Sequence, residues 1–217
     1  MTLSTNCMPL RILIILYAVF QVSHAAADAY DDALTAVRLN DVPAMEVLFA
    51  RGLDVDTTDP DANTLLMIAI RENHFDLVKR LLERQAKVGA RNRYGETALM
   101  LAAANGSLDL VKLLVGGGAA INQPGWNSLI YGAWKGNTEV VKYLLEEGAE
   151  IDAVSPNGIS ALMMAARGGH FDTVKLLLWE VANPNLRTDS GVTALVWAQK
   201  AGNTNIVELL KQAGARE

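Results

Sequence analysis

Thr97-Ala-Leu-Met-Leu-Ala-Ala103 is followed, across Gly106-Ser107, by Leu108-Asp-Leu-Val-Lys-Leu-Leu-Val115. The first stretch recurs as Thr64-Leu-Leu-Met-Ile-Ala-Ile70, Asn127-Ser-Leu-Ile-Tyr-Gly-Ala133, Ser160-Ala-Leu-Met-Met-Ala-Ala166 and Thr193-Ala-Leu-Val-Trp-Ala-Gln199. Starts at 64, 97, 127, 160 and 193 give spacings of 33, 30, 33 and 33. The second stretch recurs at constant offset as Phe75-Asp-Leu-Val-Lys-Arg-Leu-Leu82, Thr138-Glu-Val-Val-Lys-Tyr-Leu-Leu145, Phe171-Asp-Thr-Val-Lys-Leu-Leu-Leu178 and Thr204-Asn-Ile-Val-Glu-Leu-Leu-Lys211. A fixed period of this size means a stack of similar units, none able to bury its own apolar face alone.

Each unit reads as helix, turn, helix and then an extended finger. Apolar residues of the second stretch fall at helical spacing: Leu77, Val78, Leu81 and Leu82 in one unit, Leu110, Val111, Leu113 and Leu114 in the next. Between the stretches stand Asn73-His74, Gly106-Ser107, Gly136-Asn137, Gly169-His170 and Gly202-Asn203. Glycine there suits a left-handed residue ending the first helix. Gly118-Ala-Ala-Ile-Asn122 and Gly148-Ala-Glu-Ile-Asp152 read as a helix stop followed by extended chain.

The unit resembles the ankyrin repeat, whose first helix opens on Thr-Pro-Leu-His-x-Ala. The chain keeps the Thr (or Ser), Leu and Ala positions. It replaces Pro with Leu65, Ala98, Ser128, Ala161 and Ala194, and His with Met67, Met100, Ile130, Met163 and Val196. A degenerate unit, Asp32-Ala-Leu-Thr-Ala-Val-Arg-Leu-Asn40 with Ala44-Met-Glu-Val-Leu-Phe-Ala-Arg-Gly52, is read as the amino-terminal cap. The resemblance implies an all-α repeat solenoid of about six units over 28–217: 28–58, 59–91, 92–121, 122–154, 155–187 and the cap 188–217.

The first residues are set aside. Ile12-Leu-Ile-Ile-Leu-Tyr-Ala-Val-Phe-Gln-Val22 follows Arg11 and precedes the small residues Ser23, Ala25, Ala26 and Ala27. This is the layout of a secretory signal peptide over 1–25, with cleavage after Ala25 or Ala27. The competing reading is an uncleaved anchor, but the run of eleven falls short of the roughly 20 apolar residues a spanning helix needs. The expectation is a periplasmic or secreted chain with no stable membrane insertion after cleavage. The only cysteine, Cys7, would leave with the signal, so no disulfide or cysteine metal ligand is expected. Net charge is 19 − 24 = −5, or 18 − 24 = −6 without Arg11, which does not suit a nucleic-acid binder.

Catalytic chemistry is hard to place. His74 and His170 both occupy the turn between helices and are read as structural. Gly116-Gly-Gly118 ends a helix and lacks the Lys-Ser/Thr of a phosphate loop, and no Gly-x-Ser-x-Gly elbow occurs. Glu146 and Glu147, or Asp54 and Asp56, read as solvated faces or turn caps. No catalytic residue, metal or cofactor is expected, and a monomer suffices.

The resemblance implies binding of another protein through a concave face built from fingers and first helices. By register, the slot two after the repeated Ala holds Arg71, Ala104, Trp134, Arg167 and Lys200, while the fingers carry Arg91, Arg93, Tyr94, Arg187 and Asp189. The 30-residue spacing removes three residues from the finger before Trp126, where Pro124-Gly125-Trp126 makes a shorter turn. A notch is expected there, with Trp126 either plugging it or facing a partner. Arg71, Arg91, Arg93, Tyr94, Trp126, Trp134, Arg167 and Lys200 are the candidate partner contacts, suited to a segment carrying carboxylates and an apolar anchor. Tyr131 shares a slot with Leu101, Met164 and Trp197 and is read as core; Trp179, ending a helix, is read as covering its own repeat. Roles open to such a module are a periplasmic immunity or inhibitor protein, an accessory to an exported stress-defence enzyme, and a host-directed effector.

Overall fold

The computed structural model describes residues 29–216. The expected signal segment, its cleavage sites and Cys7 lie outside the described residues.

The repeated Thr, Ser or Asn defines each first helix. Thr64, Thr97, Asn127, Ser160 and Thr193 are N-caps whose side chains accept from the backbone N–H three residues on, at 3.2, 3.4, 2.9, 3.3 and 3.4 Å. That satisfies one of the donors a helix start leaves unpaired. The first helices are α1 (29–38), α3 (Leu65–Arg71), α5 (Ala98–Asn105), α7 (Ser128–Lys135), α9 (Ala161–Gly168) and α11 (Ala194–Lys200). Their partners are α2 (Val42–Ala50), α4 (Phe75–Glu83), α6 (Leu108–Gly116), α8 (Thr138–Glu146), α10 (Phe171–Trp179) and α12 (Thr204–Gln212). First helices pack on first helices and second helices on second helices, giving two layers. This is the all-α repeat solenoid of six helix pairs read from the period.

The repeated apolar positions make one continuous core. Leu66, Leu99, Leu129, Leu162 and Leu195 are buried in the first layer. Leu77 and Leu81, Leu110 and Leu114, Val140 and Leu144, Val174 and Leu177, then Ile206 and Leu210 face them from the second. Each such side chain contributes about 2 kcal/mol by leaving water.

The units are also joined by a repeated polar contact. The N-caps of α4, α6, α8, α10 and α12 are His74, Ser107, Asn137, His170 and Asn203, and none caps its own helix with its side chain. Four of them reach back to the preceding unit instead. His74 Nε2 meets Arg38 O at 3.1 Å, and His170 Nε2 meets Trp134 O at 2.9 Å. Asn137 donates to Ala103 O and Ala104 O at 2.7 and 2.9 Å, and Asn203 donates to Ala166 O at 3.0 Å. Ser107 is too short for this reach; Asn105 donates to Ile70 O at 2.7 Å in its place. Each contact satisfies carbonyls that the end of a helix leaves free. The two histidines thus work as cross-unit clamps.

A second tie runs along the extended chain after each helix pair. Asp56, Asn122, Asp152 and Asn185 accept from the backbone N–H of Lys87, Glu150, Asn183 and Arg216, at 2.8 to 2.9 Å.

On the second layer, Glu46 of α2 is held by Arg84 and Arg80, and the Arg84 guanidinium lies 4.6 Å from the centre of the Phe49 ring. Hydrogen bonds from Arg84, then Arg80, hold the Glu46 carboxyl well below its ordinary 4.5, at about 2. A depressed folded-state value stabilises the array above about pH 4.5, and the contribution is lost as pH falls toward 2. Glu46→Gln is therefore expected to melt below the wild type at neutral pH. The difference should shrink on acidification and vanish near pH 2, which melting curves across pH would show.

Candidate functional site

The fingers are built by side chains that close tight turns. Asp59 accepts from Asp61 N and Asn63 N at 2.9 and 2.8 Å. Asn92 accepts from Tyr94 N and Glu96 N at 3.0 and 2.9 Å. Ser155 accepts from Ile159 N at 3.1 Å and Thr188 from Val192 N at 3.0 Å. Neighbouring fingers are joined through backbone, Arg93 N to Asp61 O at 2.9 Å and Asp189 N to Asn157 O at 3.1 Å. The three missing residues include the slot of this turn-closing side chain. Asn122 still makes the cross-unit tie, and the chain then passes directly through Gln123-Pro124-Gly125 to Trp126. An open depression of about 400 Å³ lies there, lined by Asn122, Gln123, Pro124, Gly125, Glu150, Ala153 and Val154. This is the notch expected from the spacing.

Three rings of one unit form a ladder beside it. Trp126 and Tyr131 meet edge to face with centroids 6.1 Å apart, and Tyr131 meets Trp134 likewise at 6.2 Å. Trp126, at the end of the shortened finger, is half-buried and packed against the core. Trp134, on the last turn of α7, is 45% exposed, and the Lys135 ammonium sits 4.3 Å from its ring centre. Ala104 occupies the same slot one unit earlier.

Tyr131 is half-buried, not core, because its hydroxyl needs a partner and finds one. It donates to Glu96 Oε1 at 3.2 Å. Burial and the neighbouring Glu96 charge raise the phenol to about 12. Glu96 also accepts from Asn92 Nδ2 at 2.8 Å and from Arg71 at 3.1 Å. One carboxylate thus ties α3, a finger and α7 together across three units. Sequence reading passed over it, since its partners stand 25 and 35 residues away.

This changes what the arginines can do. Arg71 is committed to Glu96. Arg91 donates to Gly95 O at 2.8 Å and to Gln123 Oε1 at 2.5 Å, bridging its finger to the shortened one. Arg93 donates to Pro60 O at 2.6 Å and pairs with Asp61 at 3.2 Å. Arg167 lies over Trp197, 5.4 Å from the ring centre. Lys200 is exposed, and Tyr94 on its finger is 68% exposed. The structure brings Trp126, Tyr131 and Trp134 into one cluster. Lys135, unremarked in the sequence, joins them, while Arg91 and Arg93 belong to the fingers' own scaffolding.

Trp179 does not cover its repeat: it is 82% exposed. The buried face of α10 runs through Thr173, Val174 and Leu177, and position 179 falls off that stripe.

Among the described residues, no group of three or more His, Cys, Asp or Glu is arranged to hold a metal ion. No helix there is long and apolar enough to cross a membrane. No curated protein matches the chain. A family profile described as ankyrin repeats (3 copies) matches residues 33–124, 66–155 and 129–216, which together run through nearly all of the described array. With this match over helix pairs, fingers and cross-unit clamps alike, the chain belongs to the ankyrin-repeat family.

Proposed function

We propose that this chain is a non-enzymatic interaction module that holds a segment of another protein across its first-helix layer, centred on Trp134. One observation carries the reading: a tryptophan at the middle of the array is nearly half exposed, yet held by the Tyr131 ring and the Lys135 ammonium. A large, pre-oriented aromatic surface loses little entropy on binding. The partner it suits places an apolar side chain against Trp134 and a carboxylate on Arg167 or Lys200. Arg71, Arg91 and Arg93 shape the surface more than they contact the partner, since their guanidinium groups already have partners.

The proposal extends to export, with residues 1–25 removed, which rests on the apolar run Ile12–Val22 and the small residues after it. Amino-terminal sequencing of the protein recovered from its natural host would test that step.

The binding test is affinity capture from an extract of the same cells, followed by measured affinity for the captured partner. Trp134→Ala is expected to weaken binding by about 30-fold, equivalent to about 2 kcal/mol. Its melting temperature should move by no more than about 3 °C, because the ring covers little of the core. Equal affinity for both forms would sink the reading, and so would a variant that no longer folds.

A further inference from the structure

We infer that the free ends of α8 and α10 form a second docking surface, separate from the first-helix layer, for a basic amphipathic protein segment. The last residue of α10 is Trp179, and Val181 follows two residues later; both are 82% exposed. Val181 also has a φ of +66°, in the left-handed region. Gly52, Gly118, Gly148 and Gly214 hold this slot in four other units, with φ between +81° and +96°, and the unbranched Gln85 holds it in the fifth at +64°. A β-branched residue is strained there, and an exposed side chain returns no core contact in compensation.

The surrounding charges break a local rule as well. Glu146 ends α8, Glu147 caps it and Glu180 caps α10, although helix carboxyl ends disfavour anions. Glu146 and Glu180 converge with Leu145 and Leu176 on a small depression of about 90 Å³. Lys142 lines the same depression, with its ammonium 4.0 Å from Glu146. Glu83 also ends α4, but it pairs with Arg80 at 2.9 Å, and the C-caps of α2 and α4 are Arg51 and Arg84, so carboxylates at the second-helix cap itself occur only on α8 and α10 among the described helix pairs.

Strain, an exposed tryptophan and like charges at helix ends are each unfavourable for folding alone. Their coincidence marks a place selected for contact with something else. Charge selects the occupant. The carboxylates oppose an anionic lipid surface and a second copy of the same edge, and they attract lysine and arginine. Trp179 and Val181 supply the apolar anchor, as Trp commonly does at the centre of an interface.

The probe is a synthetic amphipathic leucine–lysine helix, with a leucine–glutamate helix as control. The protein is labelled with fluorotryptophan, and the resonances of Trp126, Trp134, Trp179 and Trp197 are assigned by single substitution. The lysine peptide is expected to shift the Trp179 resonance alone. Trp179→Ala, and the charge reversal Glu146→Lys with Glu180→Lys, should each weaken binding by about tenfold or more, while Trp134→Ala leaves it unchanged. Val181→Gly should weaken peptide binding yet raise the melting temperature by about 2–4 °C, because the strain is relieved. The inference is overturned by peptide shifts at Trp126 or Trp134 with Trp179 unmoved, by equal binding of the acidic control, or by a Val181→Gly variant no more stable than wild type.

Discussion

Gly136→Ala lowers stability by about 3 kcal/mol, which for an array of this size moves the melting temperature down by about 6–12 °C. Gly136 ends α7 with a φ of +73°, and a side chain in that region costs about 1 kcal/mol. Space costs more. A Cβ on Gly136 would lie 2.4 Å from Nδ1 and 2.6 Å from Cγ of His170. The imidazole would have to swing away, and its Nε2 contact with Trp134 O, at 2.9 Å, would go with it. A carbonyl at a helix end left without a partner adds about 1–3 kcal/mol. Two further variants separate the contributions. Gly148 has a similar φ of +87° but nothing within 4 Å of a Cβ, so Gly148→Ala should cost the backbone share only. Combining Gly136→Ala with His170→Ala removes the collision, so the double variant should lose less than the sum of the singles. Strict additivity in denaturant titrations would refute the steric account.

That contact also shows where sequence reading succeeds and where it stops. The period, the Thr, Ser or Asn before each first helix and the apolar spacing were legible because each is a local rule: a cap needs an oxygen three residues before its N–H, and a helix face needs 3.6-residue spacing. Gly106 and Gly136 were legible for their left-handed backbone, but not for the Asn137 and His170 side chains that lie against them. Those side chains come from the adjacent unit or the turn beyond, and proximity there is a property of the stack. The same limit hid Glu96, whose worth depends on Arg71 and Tyr131 arriving from two other units. The same limit applies to the arginines, since register alone does not reveal which already hold a carboxylate or a carbonyl, as Arg71, Arg91 and Arg93 do. Trp179 is a different case. Its exposure follows from the helical positions of Val174 and Leu177, which put position 179 off the buried stripe and are legible in the pattern itself. The shortened finger was fully legible, because a three-residue gap in a 33-residue period has to be taken from the most exposed turn.

Trp126→Ala is expected to cost about 3 kcal/mol of stability, against about 1 kcal/mol or less for Trp134→Ala, although both rings belong to one ladder. The difference lies in what each ring replaces. Trp126 is half-buried against the core at the point where three residues of finger are absent, and truncation opens a hole that the short Pro124-Gly125 turn cannot close. Trp134 is 45% exposed and covers little. Loss of Trp126 also frees Tyr131, whose ring it meets at 6.1 Å and whose hydroxyl ties Glu96 to α7. Partner binding should therefore weaken in both variants, through lost contact at Trp134 and through lost positioning at Trp126. Trp126→Phe decides between positioning and contact, since a smaller aromatic ring refills most of the space and should recover most of the stability and the binding together. If Trp126→Ala instead keeps full stability while binding is lost, the ring faces the partner, and the notch is an open pocket whose wall is Trp126.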